Sequence, residues 1–126
     1  MSPEAAAKAV LVVEDNILSA NMLRRFVSSL GYTVAVAEDG QEALEYLRAH
    51  PSDTGLILLD LRMPRMDGFQ FRAAQRKEQA LADIPVVIVS AELDTAETDP
   101  LQAAAVLSKP VMLKELCGLI KRHFQS

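Results

Sequence analysis

The chain has no tryptophan, one cysteine and five glycines among its 126 residues. A single thiol, Cys117, cannot close an internal disulfide, so the fold must stand on its apolar core, and the thiol suits a reducing compartment. Aromatic residues make up 5% of the chain and hydrophobic residues 50%, so that core is built mostly from Val, Leu, Ile and Ala. Basic charge is also short. Thirteen Lys and Arg against 17 Asp and Glu leave a net charge of −4, which argues against a nucleic-acid-binding surface. No apolar run approaches the ~20 residues needed to cross a bilayer. Met1 to Lys8 lacks the apolar stretch of a signal peptide, so the cytoplasm is the expected location. Neither a G-x-G-x-x-G nor a P-loop is present, which weighs against a nucleotide enzyme.

What is present is a set of short apolar runs that end in acids. Leu56-Ile57-Leu58-Leu59 is followed by Asp60, and Val10-Leu11-Val12-Val13 is followed by Glu14-Asp15. Apolar runs of this length, bounded by turn chemistry, read as strands buried on both faces of a parallel sheet. The carboxyl ends of such strands are where open α/β sheets bind ligands. Two strands therefore bring three carboxylates to one sheet edge. That much negative charge needs a cation, and an all-oxygen ligand set favours Mg2+.

Further strands are expected at Thr33 to Ala37, Val86 to Val89 and, more weakly, Ala105 to Ser108. Helical patterns lie between them. Leu23, Phe26, Val27 and Leu30 share one face before Gly31, and Asp39-Gly40 turns into a helix whose inner face carries Ala43, Leu44 and Leu47. A third helix is expected from about Gly68 to Glu78. A last helix has the stripe Leu113, Leu116, Cys117, Ile120 and Phe124, with Cys117 read as a small buried hydrophobe. Strands alternating with helices imply right-handed crossovers and a sheet covered on both faces. The expected organisation is a tail over residues 1–8 and one α/β domain over 9–126. Between Val89 and Ala105 the helical signal fades, because apolar residues are few and Pro100 disfavours a helix interior. A short helix or irregular loop is expected there.

In these motifs the chain resembles the receiver domains of response regulators in two-component signalling. The resemblance rests on Val-Val-Glu14-Asp15-Asn, Leu-Leu-Asp60-Leu-Arg-Met-Pro-Arg-Met-Asp-Gly, Val-Ser90-Ala and Leu-Ser-Lys109-Pro110, taken in order from about Lys8 to Phe124. It implies a flavodoxin-like (βα)5 fold with sheet order 2-1-3-4-5. It also implies that Asp60 accepts a phosphoryl group from a sensor histidine kinase or a histidine phosphotransfer protein. Glu14, Asp15, Asp60 and the backbone carbonyl of Arg62 would hold Mg2+. Lys109 would contact the phosphoryl group, Ser90 would hydrogen-bond it, and the Lys109-Pro110 peptide would be cis. Taken alone, Glu14-Asp15 could merely cap the first helix, but that reading leaves Asp60 unexplained.

Two departures from the family pattern bear on signalling. Val106 occupies the position of a Tyr or Phe whose ring swings inward on activation, and a β-branched aliphatic cannot make that movement. The stretch from Ser90 to Lys109 is also shorter than the family norm by roughly one helical turn. The resulting expectation is that phosphorylation changes order in Glu92 to Gln102 rather than flipping a ring. Arg62 and Glu92, each two residues past a site residue, are expected to rim the site and to pair across its mouth. The competing enzyme class, an aspartyl-nucleophile phosphohydrolase, places a general-acid Asp two residues after its nucleophile, where this chain has Arg62. The leading reading is a stand-alone regulator or phosphorelay shuttle, monomeric or weakly dimeric, with an unidentified downstream protein target and no nucleic-acid or membrane partner. The alternatives are a phosphorylation-independent scaffold and a receiver domain belonging to a larger regulator or hybrid kinase.

Overall fold

The computed structural model describes residues 8–91 and 94–124. Five strands, β1 (Ala9–Val13), β2 (Thr33–Ala37), β3 (Thr54–Leu59), β4 (Val86–Ser90) and β5 (Ala105–Ser108), alternate with helices. These helices are α1 (Ile17–Ser29), α2 (Gly40–Ala49), α3 (Gly68–Lys77), α4 (Thr95–Thr98) and α5 (Leu113–Phe124). All neighbouring strands are parallel, in the order β2-β1-β3-β4-β5. This is the expected doubly wound sheet.

The alternation of side chains along β1 shows why both faces must be covered. Leu11 and Val13 pack with Ala43, Leu44 and Leu47 of α2 and Phe71 of α3. Val10 and Val12 pack with Leu23 and Val27 of α1 and Leu116 and Ile120 of α5. All four β1 residues are fully buried, each worth about 1.5–3 kcal/mol relative to exposure. The stripe of α5 is inward from Leu116 onward, with Phe124 half-buried against the same cluster. Leu116 and Ile120 are buried, Leu113 is exposed, and Cys117 is half-buried rather than enclosed.

Polar capping sets where helices begin. Asn16, not Glu14 or Asp15, caps α1 by accepting from the Ser19 N–H at 2.9 Å. Asp67 and Gln70 form a reciprocal capping box on α3. The fourth crossover is a one-turn helix running directly into a 3-10 turn over Asp99–Leu101, with Pro100 within that turn. Its final carbonyls are met by arginines of α3. Arg72 donates to Leu101 O at 2.9 Å and Gln102 O at 3.1 Å, and Arg76 donates to Pro100 O at 2.9 Å. Cations suit a helix C-terminus, where carbonyls lack partners. A shortened helix is thus stabilised by its neighbour.

Candidate functional site

Register brings the acids together. Val13 pairs with Ala37 on one side and Leu59 on the other, so β1 and β3 end level. The ladder continues one step further, with Asp60 N–H donating to Val13 O at 3.0 Å and Glu14 N–H donating to Ala37 O at 2.9 Å. Side-chain oxygens of Glu14, Asp15 and Asp60 lie within 4.8 Å of one another. Glu14 and Asp60 are buried, whereas Asp15 is exposed.

Lys109 reaches into this cluster from the end of β5. Its Nζ donates to Glu14 Oε1 at 2.5 Å and to Asp60 Oδ2 at 3.5 Å. The Lys109-Pro110 peptide is cis. Burial disfavours the ammonium, but the hydrogen bond to Glu14 and the charge of Asp60 outweigh it and hold the Lys109 pKa above its usual value. For Glu14 it is the neutral form that is favoured. Burial pushes its pKa up to about 7, against the lowering pull of Lys109 and with Asp60 adding to the rise. Three acids and one ammonium leave the cluster short of positive charge, which is the condition for a divalent cation.

Ser90 ends β4 on the same edge, where its carbonyl accepts from the Lys109 N–H at 3.0 Å. Its hydroxyl is fully buried and has no hydrogen-bond partner among the described residues. An unpaired buried hydroxyl is uncommon and costly, and a missing ligand oxygen is one physical reason for it. An oxygen-ligated cation and a phosphoryl group therefore fit the residues present.

Arg62 N–H donates to Asp60 Oδ1 at 3.3 Å. Its guanidinium, which the sequence suggested would meet Glu92, stands 3.7 Å from Glu97 of α4. Glu92 itself lies outside the described residues. Val106 faces outward on β5 at 41% exposure, opposite Ile88. Sequence reasoning missed Glu97, the α3 arginines and the pairing of Arg65 with Asp39. All are contacts between distant segments, and none carries a local motif.

The model of the response regulator receiver domain matches residues 10–121. The chain belongs to the response regulator receiver domain family. The polar-differentiation response regulator DivK of Brucella ovis is 29% identical over 119 residues, covering 92% of this chain and 95% of that protein. The Vibrio cholerae chemotaxis protein CheY4 superposes with a TM-score of 0.83 at 29% identity, covering 93% of this chain and 98% of that one. A response regulator receiver protein from Pseudomonas putida superposes with a TM-score of 0.85, also at 29% identity and the same coverages. Receiver domains are signalling phosphoacceptors of two-component systems rather than enzymes acting on a separate substrate. Among the described residues, no helix is long and apolar enough to cross a membrane.

Proposed function

We propose that this receiver accepts a phosphoryl group on Asp60 from a histidine kinase or histidine phosphotransfer protein, with Mg2+ bound at the acidic edge. The observation that carries the reading is the convergence of Asp60, Glu14, Asp15 and Lys109 beside the unpartnered Ser90 hydroxyl. An Asp60 carboxylate oxygen attacks the phosphorus, forming a P–O bond as the P–N bond to imidazole breaks and its electron pair returns to the ring. Lys109, already 3.5 Å from Asp60 Oδ2, balances charge on the transferred group. Ser90 supplies the hydrogen bond it now lacks. Glu14, Asp15, Asp60 and the carbonyl of Arg62 would hold the cation, which neutralises phosphoryl oxygen charge and fixes the line of attack.

A protein donor also needs a surface on which to dock. Leu18 and Met112 are 81% and 67% exposed. Between α1 and the turn after β5 runs a groove of about 420 Å³ lined by Ser19, Met22, Lys109, Pro110 and Val111 among others. An apolar rim beside the phosphoacceptor suits a helical donor. The phosphorylated chain acts in the cytoplasm by altered partner binding or by passing the group on in a relay. Intact mass after incubation with acetyl phosphate and Mg2+ tests the reading. One phosphoryl group should be gained, lost in Asp60→Asn and lost on chelation. No gain from either acetyl phosphate or a phosphorylated histidine phosphotransfer protein would leave a phosphorylation-independent scaffold.

A further inference from the structure

The loop between Asp60 and α3 is held against α2 by contacts that phosphoryl acceptance alone does not call for. Arg65 Nε donates to Asp39 Oδ2 at 2.6 Å, and Arg65 Nη2 donates to the same oxygen. At the next residue on each side, the Gly40 N–H donates to Met66 O at 2.8 Å. Asp39-Gly40 is thus locked in register with Arg65-Met66. A β-carbon on Gly40 would fall 2.7 Å from Met66 Cγ and 2.8 Å from Met66 O, so only glycine permits this approach.

The two partners have unequal stakes. The Arg65 side chain is 66% exposed, whereas that of Asp39 is 2% exposed. Exposed arginines gain little from surface pairs, but a buried carboxylate stripped of its cation is strongly destabilising. Burial works against the Asp39 carboxylate, yet the Glu42 amide and the Arg65 guanidinium together hold its pKa below the usual value. Arg65 also has a φ of 62°, a left-handed conformation that a residue with a β-carbon seldom adopts. Such conformations persist where surrounding contacts over-determine them. The same loop is closed at its base by the Gly68 N–H to Leu61 O bond at 3.0 Å. Arg62 lies between base and clamp, and Asp60 immediately precedes the base.

We propose that Asp39 and Arg65 form a positioning pair, which fixes the loop so that Asp60 and the Arg62 backbone stand ready for the cation. The inference rests on the Mg2+-dependent reading above. Its sign separates it from simple electrostatics. Removing a positive side chain near an acidic site should tighten cation binding if charge alone acts. Losing the loop's anchor should weaken it, as loss of outer-shell partners does.

Calorimetric Mg2+ titration of the parent, Arg65→Ala, Arg65→Gly and Asp39→Asn tests the pair, with amide exchange at Gly40 as a second readout. Asparagine keeps an oxygen to cap α2, and glycine keeps the left-handed backbone, so Asp39→Asn and Arg65→Gly remove the clamp while retaining the local geometry. The expected result is a roughly tenfold weaker Mg2+ affinity in each variant, with faster exchange at Gly40. The Asp39→Asn/Arg65→Ala double variant should be no worse than either single one. Affinity equal to or tighter than the parent in the Arg65 variants, or unchanged Gly40 exchange, would overturn the proposal. A parent that binds no Mg2+ overturns the phosphoacceptor reading and the pair with it. A parent that binds normally beside unaffected Arg65 variants overturns the pair alone.

Discussion

Glu14 and Asp15 are adjacent acids with different surroundings, Glu14 enclosed under Lys109 and Asp15 in solvent. Burial chiefly drives the Glu14 pKa up to about 7. Its ordinary value is 4.5, so between these limits the folded chain holds a proton that the unfolded chain has lost. Stability from this group is complete below pH 4.5 and disappears as pH rises through about 7. Asp39 and Lys109 do not share that window. The lowered pKa of Asp39 acts in acid, and the raised pKa of Lys109 acts above its usual 10.5. Thermal melts without divalent cation should therefore show a falling Tm from pH 4.5 to 7, and Glu14→Gln should flatten that slope. A slope unchanged in Glu14→Gln would assign the effect elsewhere. The sequence named Glu14 as a site acid. It could not distinguish Glu14 from Asp15, because the burial that separates them comes from β2, β3 and Lys109, all remote in sequence.

At the scale of elements, the fourth crossover departs most from a regular receiver pattern. Weak periodicity and Pro100 made its shortness legible in advance. Its anchoring was not legible, since Arg72 and Arg76 read simply as polar positions of α3. Arg72 is in fact only 7% exposed, and carbonyl oxygens and Gln75 Oε1 supply its hydrogen bonds. The C-terminal end of the crossover is thus fastened to α3, while its N-terminal end is tied to the site by the half-exposed Arg62–Glu97 pair at 3.7 Å. Exposed pairs of that length contribute roughly 0–1 kcal/mol, so this end opens more easily. Hydrogen exchange with and without a beryllofluoride phosphoryl mimic should show changes over 94–98 and none over 99–102. Equal changes across both would mean that the arginines do not divide the segment.

Across the whole molecule, the acidic edge and the apolar rim adjoin at Lys109, which lines the groove and also touches Glu14 and Asp60. On the proposed reading, small phosphodonors use only the edge, whereas a protein donor uses the rim as well. Leu18→Asp combined with Met112→Asp should slow transfer from a phosphorylated histidine phosphotransfer protein roughly tenfold, on the scale of lost interface anchors. Phosphorylation by acetyl phosphate should stay near the parental rate. Equal slowing with both donors would place the defect in the site, and no slowing with either would move the docking surface elsewhere. Among the strands, β1, β3 and β4 declared themselves through runs of apolar residues, because a strand covered on both faces cannot afford polar side chains. Asp60, Glu14, Asp15, Ser90 and Lys109 were readable because each stands at or beside a strand end, a place that local pattern can mark. The sequence by itself therefore determined the order of elements, the two-sided core and the residues delivered to one edge. Tertiary structure alone decided the raised pKa of Glu14, the burial of the Ser90 hydroxyl, the pairing of Arg62 with Glu97, and the clamps made by Asp39–Arg65 and the α3 arginines. Strand periodicity is written locally, but burial and long-range polar pairing exist only once segments distant in the chain have packed together.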